Sequence, residues 1–229
     1  MTIELTGVTV TVHTPAGEKS LLEGIELTLT ERRIAVIGAN GSGKSTLLRL
    51  FNGLVAPSSG IVAVNGLDTV HHGRAVRRQV GFVFTDPLSQ LVMSTPIEDV
   101  ELSLRRQYRS RREREAAALA LLERRGIGHL ARQSVYDLSG GERQLVALTS
   151  VLAIEPRVIV ADEPTTLLDL RNRRMLSRVF ADLDQQVVVS THDLSLAAEC
   201  DRVLVVEAGR IWFDGDPAEG VRRYQELMG

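Results

Sequence analysis

Cysteine, lysine and aromatic residues are scarce in this 229-residue chain, and it has no long apolar run. Cys200 is the only cysteine, which excludes an intrachain disulfide and indicates a reducing compartment. Charged residues interrupt every apolar stretch well before the roughly 20 residues that span a bilayer. Residues 1–5 lack the basic start and apolar core of a signal peptide, so we expect an intracellular protein.

The charge balance limits the partners that the chain is expected to bind. With 27 Lys and Arg against 29 Asp and Glu, the net charge of −2 gives no reason to expect a nucleic acid. Eight arginines lie between Arg105 and Arg125, but glutamates are interspersed among them and Tyr108 is the only aromatic residue there. A solvated helix face is therefore favoured over a patch that binds nucleic acid or anionic lipid.

Short apolar runs alternate with helical patterns along the chain. Residues 3–12 alternate apolar and polar, a turn follows at 14–17, and a second alternating run ends at Leu29, which predicts a β-rich N-terminal part. Further strands, short and apolar, are predicted at 34–37, 80–84, 158–161, 187–189 and 203–206. Helices are predicted at 96–105, 112–125, 142–153, 171–183 and 194–199. This order predicts an α/β fold with helices layered on the sheet.

Residues from about 85 to 156 carry helical patterns and no evident strand. We therefore expect a single domain over residues 1–229. Its α/β core would comprise residues 1–84 and 157–229, and a helical subdomain would be inserted between them.

A glycine-rich loop follows the predicted strand at 34–37. Residues 38–45 read Gly-Ala-Asn-Gly-Ser-Gly-Lys-Ser and fit the P-loop pattern G-x-x-x-x-G-K-[ST], with a helix predicted directly after it. Glycines let the backbone approach a phosphate, and the loop amides face the anion. Lys44 is expected to reach the β- and γ-phosphates of ATP, and the Ser45 hydroxyl to bind Mg²⁺. The predicted nucleotide-binding residues are Gly38, Ala39, Asn40, Gly41, Ser42, Gly43, Lys44, Ser45 and Thr46.

Two carboxylates end the apolar strand predicted at 158–161. Asp162 is expected to hold Mg²⁺ through water, because a carboxylate at such a strand end lies beside the phosphate loop. Glu163 is expected to orient or deprotonate the attacking water.

The segment Leu138-Ser139-Gly140-Gly141-Glu142 has the pattern of a helix start, with a hydroxyl cap, two glycines and an acidic residue in the first turn. A helix N-terminus with glycine amides is a second anion site. This segment resembles the signature motif of ATP-binding cassette (ABC) ATPases. Residues 164–169 resemble the loop that follows the carboxylates in that family, and His192, in Ser-Thr-His-Asp, resembles its switch histidine.

The resemblance implies the ABC cassette fold, a P-loop NTPase domain with a mixed sheet, and a catalytic site shared between two subunits. One subunit would supply the P-loop, Asp162, Glu163 and His192. The other would lay its signature residues Ser139, Gly140, Gly141 and Glu142 over the γ-phosphate, with Asp169 in a loop at the dimer interface. The implied partners are a second ABC ATPase subunit, identical or similar, and integral membrane subunits at the cytoplasmic face of the cell membrane.

Within that family the chain most resembles the ATPases of energy-coupling factor (ECF) transporters, which import vitamins such as biotin, cobalt or nickel. Residues 84–91, Phe-Thr-Asp-Pro-Leu-Ser-Gln-Leu, resemble that group's F-Q-N-P-x-x-Q-L segment, and residues 95–100 resemble the T-x-x-E-D-V helix after it. The sequence does not distinguish among these cargoes, which a separate membrane subunit selects.

The chain departs from the family pattern at two places. Where the family has an aromatic residue that stacks on adenine, this sequence has Val12 followed by His13. The family's Q-loop glutamine aligns with Thr85, and Gln90 matches only a second, group-specific glutamine. Whether Thr85, Asp86 or Gln90 contacts the metal is left open at this point.

Two other classes of protein share parts of this pattern. Non-transport ABC ATPases usually carry two cassettes, long coiled coils or zinc inserts, and none of these is visible in the sequence. A P-loop kinase for a small molecule would not explain the signature segment or His192. A transport ATPase, in an ECF-type or another ABC importer, is therefore the favoured interpretation.

Overall fold

The computed structural model describes residues 1–15, 17–166 and 168–229. Ala16, in the predicted turn at 14–17, and Leu167, in the predicted loop at 164–169, lie outside the described residues. Ten strands are present in the described part of the chain. In chain order they are β1 (Ile3–Thr14), β2 (Gly17–Leu29), β3 (Arg33–Ile37), β4 (Ser59–Val64), β5 (Leu67–Asp68), β6 (Val80–Val83), β7 (Val158–Asp162), β8 (Gln186–Ser190), β9 (Arg202–Glu207) and β10 (Arg210–Gly215).

Eight α-helices of the described ranges lie between these strands or follow them. They are α1 (Lys44–Leu50), α2 (Gly73–Gln79), α3 (Pro96–Leu104), α4 (Arg111–Arg124), α5 (Gly140–Leu152), α6 (Leu170–Asp182), α7 (Leu194–Ala198) and α8 (Pro217–Met228). Several begin at a side chain that accepts a backbone N–H of the first turn, as Ser110 does for α4 and Asp216 for α8. Such caps satisfy amide groups that have no partner inside the helix.

The strands form two sheets of different character. The first has the order β2-β1-β4-β5 and is antiparallel throughout. The second has the order β10-β9-β3-β8-β7-β6, in which β10 is antiparallel to β9 and the remaining neighbours are parallel. The predicted mixed sheet, with a β-rich N-terminal part beside it, is confirmed.

The six-stranded sheet separates two hydrophobic cores, because successive side chains of a strand point to opposite faces. On β3, Ile34 and Val36 pack with α1 and the four-stranded sheet. Ala35 and Ile37 face the other way and pack with the helices, including α3, α4 and α5. The parallel strands of this sheet are buried on both faces for this reason, as expected of parallel strands covered on both sides.

The predicted strands and helices occur within one or two residues of their expected bounds, and α3, α4 and α5 all lie between residues 85 and 156, where no strand occurs. β4, β5, α2 and β10 were not predicted from the sequence. β4 carries too short an alternation to stand out, with Val62 and Val64 buried and Ile61 exposed. None of the helices in the described part of the chain combines the length and the apolar character needed to cross a membrane.

Candidate functional site

The carboxyl ends of three neighbouring parallel strands meet at one edge of the six-stranded sheet. β3 leads into the glycine-rich loop at Gly38, β7 ends at Asp162, and β8 ends at Ser190, two residues before His192. The register pairs Asp162 with Ser190 directly. Ligands of open α/β sheets bind at such an edge, so the predicted site residues are brought together by the strand order β3-β8-β7.

The glycine-rich loop needs glycine for steric reasons at two positions. Gly38 has φ +151°, and a Cβ there would lie 2.2 Å from the Val206 carbonyl oxygen. Gly43 has φ +114°, and its Cβ would lie 2.9 Å from the Leu21 carbonyl oxygen. The Ser42 hydroxyl is buried in this loop without a hydrogen-bond partner among the described residues. Asn40 and Gly41 are exposed, and Ala39 and Thr46 are half-buried.

Lys44, the first residue of α1, is only 4% exposed. Its Nζ donates to the carbonyl oxygens of Gly38 at 2.9 Å and Ala39 at 3.1 Å. The same ammonium lies 3.5 Å from Glu163 Oε1. A buried charge is costly unless it is paired and hydrogen-bonded, and here the loop carbonyls and the carboxylate satisfy it.

Asp162 is 2% exposed at the end of β7. Its Oδ1 accepts from the hydroxyls of Ser45 at 2.9 Å and Ser190 at 2.8 Å. Arg49 Nη2 lies 3.9 Å from the other oxygen, Oδ2. The two residues predicted to hold Mg²⁺, Ser45 and Asp162, are therefore in direct contact.

The donor set fits magnesium. Hydroxyl and carboxylate oxygens are ligands that Mg²⁺ accepts, and it usually binds proteins through only one or two side chains plus substrate phosphates and water. No cluster of three or more His, Cys, Asp or Glu that could hold a metal ion occurs in the described ranges.

Glu163 follows Asp162 with φ +47°, a backbone conformation that residues with a Cβ seldom adopt. Its Oε1 lies 3.0 Å from His192 Nε2, and its Oε2 accepts from the Thr166 hydroxyl at 3.1 Å. Its amide donates to the hydroxyl of Ser190 at 2.9 Å. The carboxylate thus lies between the Lys44 ammonium and the His192 imidazole.

The loop after β6 contains the three alternatives for the family's glutamine, and which of them contacts the metal stays a prediction. The Thr85 hydroxyl donates to the Asp162 carbonyl oxygen at 2.7 Å. Both polar atoms of the Gln90 amide are engaged elsewhere, because Oε1 accepts from Phe84 N at 3.2 Å and Nε2 donates to Ala147 O at 3.1 Å. Asp86 caps the short turn that follows it.

The predicted helix start at Ser139 is confirmed as a capping box at the beginning of α5. The Ser139 hydroxyl accepts from Glu142 N, and Glu142 Oε2 accepts from the amide and the hydroxyl of Ser139, both at 2.7 Å. The Ser139 hydroxyl, followed by its amide, lowers the pKa of the Glu142 carboxyl. Gly140 and Gly141 occupy the first turn of the helix.

Asp169 begins α6 by accepting from Asn172 N at 2.8 Å. The Asn172 side chain also approaches α5 so closely that a Cβ on Gly141 would lie 2.4 Å from its Cγ. The segments predicted to act on a partner subunit, 139–142 and Asp169, are therefore linked within one chain through Asn172.

Comparison with known proteins decides the family. A family model described as ABC transporter matches residues 22–166, which contain the glycine-rich loop, the signature segment and both carboxylates. The chain belongs to the ABC transporter family. Its cassette is an ABC ATPase and binds ATP.

Relatives of this ABC ATPase include transport subunits from several bacteria. It is 44% identical to the biotin transport ATP-binding protein BioM of Rhizobium etli, over 92% of this chain and 94% of the relative. It is 39% identical to the energy-coupling factor transporter ATP-binding protein EcfA1 of Halalkalibacterium halodurans, over 81% of this chain and 68% of that protein. A solved dimeric ATP-binding cassette in a post-hydrolysis state, bound to ADP and Pi, matches with a TM-score of 0.83 at 30% identity, covering 94% of this chain and 98% of that one.

The predicted adenine contact of this ABC ATPase is on an open surface. The His13 side chain is 86% exposed and lies 3.2 Å from Glu18 Oε1. Val12 precedes it on β1. His13 is thus free to meet a base, and its stacking role stays a prediction.

Sequence reasoning missed two hydroxyl residues of the site. Ser190 bonds to both Asp162 and Glu163, and Thr166 bonds to the Glu163 carboxylate. Both lie inside segments that resemble the family's motifs, two residues before His192 and three after Glu163. The only available signal was this closeness in sequence, because serine and threonine at strand ends have no distinctive spacing.

Proposed function

We propose that this ABC ATPase powers the import of a micronutrient as a subunit of an ECF-type transporter. The observation that carries the proposal is the meeting of Lys44, Asp162 and Glu163 at one sheet edge, with Lys44 Nζ 3.5 Å from Glu163 Oε1 and Ser45 bonded to Asp162. The likeness of residues 84–91 to the ECF segment supports the type of transporter. The name of the Halalkalibacterium relative supports it as well.

Lys44 and the loop amides would bind the phosphates of ATP. Before nucleotide binds, the Lys44 ammonium is balanced by Glu163 and two carbonyl oxygens. The β- and γ-phosphates offer a stronger anionic partner, since hydrogen bonds between charged groups are the strong ones. When the Lys44 ammonium pairs with phosphate and no longer with Glu163, the Glu163 carboxylate would be free to act on the attacking water.

Glu163 would accept a proton from the attacking water or orient it. The Thr166 hydroxyl donates to one oxygen of the Glu163 carboxylate and His192 Nε2 lies 3.0 Å from the other, so lone pairs remain for a water. A positioned acid–base group of this kind contributes about 10²–10⁴-fold to a rate. His192, 3.0 Å from the same carboxylate, would keep it oriented.

Ser45 and Asp162 would hold Mg²⁺, which, when bound, supplies positive charge beside the phosphate oxygens. Asp162 Oδ1 already accepts from two hydroxyls, which leaves Oδ2 as the oxygen open to a further ligand or a water. Thr85, bonded to the Asp162 carbonyl oxygen, is the residue of the loop after β6 that we assign to this site.

A second ABC ATPase subunit would complete the site. Ser139 caps α5, and the amides of Gly140 and Gly141 in its first turn have no partner within the helix, the arrangement that binds an anion. In the composite site these groups and Asp169 would serve the nucleotide of the partner subunit, adding donors where charge spreads during phosphoryl transfer. ATP binding would then close the dimer, and hydrolysis would open it.

Membrane subunits would transmit this motion to the cargo, with the ATPase bound peripherally at the cytoplasmic face. The helical segment between residues 85 and 156 would be the inserted subdomain that carries the signature. The name of the Rhizobium relative, matched over 94% of its length, makes biotin the first cargo to test.

The variant Glu163→Gln tests the catalytic assignment. We expect it to retain MgATP binding, to lose hydrolysis by about 10²–10⁴-fold, and to accumulate as a dimer with ATP. Nucleotide titration, steady-state phosphate release and size-exclusion chromatography with light scattering measure the three quantities. Glu226→Gln makes the same chemical change on α8, in an exposed pair with Arg222, and should behave as the wild type. Full turnover by Glu163→Gln would contradict the proposal.

The transport assignment needs a separate experiment. The chain should co-purify from membranes with a polytopic subunit, and cells carrying both should take up labelled biotin in a manner that Glu163→Gln abolishes. Uptake of cobalt or nickel in place of biotin would change the cargo alone. Absence of any membrane subunit from the purified complex would argue for a non-transport ATPase.

A further inference from the structure

Ser190 ends β8 at the point where the two carboxylates of the site lie. Ser190 is 0% exposed, and the parallel register of β7 and β8 pairs it directly with Asp162. The residue has no predicted role in the family resemblance described above. It lies between the strand that ends at Asp162 and the segment that reaches His192.

The Ser190 hydroxyl makes one bond to each carboxylate residue. It donates to Asp162 Oδ1 at 2.8 Å and accepts from Glu163 N at 2.9 Å. A hydroxyl has one proton to donate and two lone pairs to accept. Asp162, as a carboxylate, can only accept, and Glu163 N can only donate, so the direction of both bonds is fixed by chemistry.

The bond to Glu163 N falls at a strained point of the backbone. Glu163 has φ +47°, which is unfavourable for a residue with a Cβ, and such a conformation persists only where surrounding contacts hold it. The same amide also lies 3.2 Å from the Ser190 carbonyl oxygen. Ser190 thus anchors the turn by two atoms, and this turn aims the Glu163 carboxylate at His192 Nε2, 3.0 Å away.

We propose that Ser190 is a positioning residue for hydrolysis, which sets the Asp162 carboxylate and the Glu163 turn in one geometry through its hydroxyl. The inference rests on the proposed roles of those two residues. Ser190 has no contact with the reacting atoms in this account, and its effect passes through its neighbours. The competing explanation is an ordinary buried hydroxyl that only satisfies the strand end.

The variants Ser190→Ala and Ser190→Thr separate these explanations. Since a displacement of about 1 Å at a reacting group can cost 10²-fold, we expect Ser190→Ala to lower kcat by about 10- to 100-fold with the KM for ATP unchanged. Ser190→Thr keeps the hydroxyl and should recover most of the lost rate. Ser150→Ala is a matched control, because Ser150 is also buried and its hydroxyl has no partner among the described residues. That control should keep the wild-type kcat.

A double-mutant cycle tests whether the effect passes through Glu163. Single-turnover rates are measured for Ser190→Ala in the wild-type and Glu163→Gln backgrounds, since coupled residues give non-additive losses. We expect a clearly smaller fold loss in the Glu163→Gln background. If Ser190→Ala is insoluble, Ser190→Cys, with a weaker donor in the same place, should rank below both wild type and Ser190→Thr in kcat.

The outcomes are distinguishable from failure of the proposed function. A wild-type protein without ATPase activity, or an active Glu163→Gln variant, would overturn the assignment of the site itself. With those results as expected, a kcat of Ser190→Ala within about twofold of the wild type, or an equal fold loss in both backgrounds, would overturn the role of Ser190 alone.

Discussion

The substitution Thr85→Gln tests how the loop after β6 takes part in hydrolysis. In the structure the Thr85 hydroxyl donates to the Asp162 carbonyl oxygen at 2.7 Å, where the family pattern implies a glutamine amide that contacts metal and water. A glutamine side chain is two heavy atoms longer and carries a carbonyl oxygen that threonine lacks. We expect the substitution to raise the basal ATPase rate and to lower the stability of the fold.

The expected changes in stability and in kcat follow from the loss of the Thr85–Asp162 hydrogen bond and the gain of a glutamine amide at the site. A neutral hydrogen bond contributes about 1 kcal/mol to stability, which for a domain of this size corresponds to a fall in Tm of about 2–4 °C. Correct positioning over about 1 Å is worth up to 10²-fold in rate. We expect kcat to rise by about tenfold. This is less than 10²-fold, because the backbone at position 85 accommodates the shorter threonine and would not place the longer glutamine side chain ideally.

The assay is the steady-state rate of the purified subunit at saturating ATP and magnesium, with Tm measured on the same preparations. Thr85→Val is the matched control, since it removes the hydroxyl without adding an amide. It should lose the same stability and gain no rate. A Thr85→Gln rate at or below the wild type would refute the reasoning, and an equal gain by Thr85→Val would assign the effect to the lost bond instead.

Three further expectations concern single residues. Lys44→Ala should weaken ATP binding by about 10- to 100-fold, because a charge-assisted contact to phosphate is lost. Nucleotide titration measures this loss, and an unchanged affinity would contradict the assignment of the phosphate loop. The pKa of Glu142 is lowered, by the Ser139 bonds, from its ordinary 4.5, so its cap stabilises α5 above that pH and loses strength as the pH falls through the lowered value. The Tm difference between wild type and Glu142→Ala should therefore narrow below pH 4.5, and a constant difference would contradict the capping argument. Burial raises the pKa of the Cys200 thiol to about 12, so a thiol reagent at pH 8 should modify the native chain slowly and the urea-unfolded chain fast; rapid labelling of the native chain would contradict this.

Much of the site could be predicted because its signals are local in sequence. The glycine-rich loop, the carboxylates at the end of β7 and the capping box at Ser139 each occupy fewer than ten consecutive residues. Each also has a physical requirement that restricts the residue type, such as the lack of a Cβ at Gly38. Strand and helix order then follow from the apolar spacing between these segments.

The contacts that refine the site depend on register, which the sequence does not specify. Thr85 meets the Asp162 carbonyl oxygen across 77 positions of sequence, and Ser190 meets the Asp162 carboxylate across 28. Both contacts require β6, β7 and β8 to pair in one alignment, and a shift by one residue would turn every side chain to the other face. An alternation of apolar residues predicts a strand without fixing that alignment.

The same register determines where Thr85, Asp86 and Gln90 lie, while the choice of metal contact among them stays a prediction. All three lie within six residues, and each has an oxygen able to bind a metal. The pairing of Val83 with Ala161 at the ends of β6 and β7 brings Thr85 to the Asp162 carbonyl oxygen. Gln90 instead spans Phe84 and Ala147, and so connects the loop after β6 to α5. The Gln90 amide thus links the loop at the site to α5, the helix that begins with the signature. A sequence pattern alone makes Gln90 a candidate metal contact and does not predict this link between two segments.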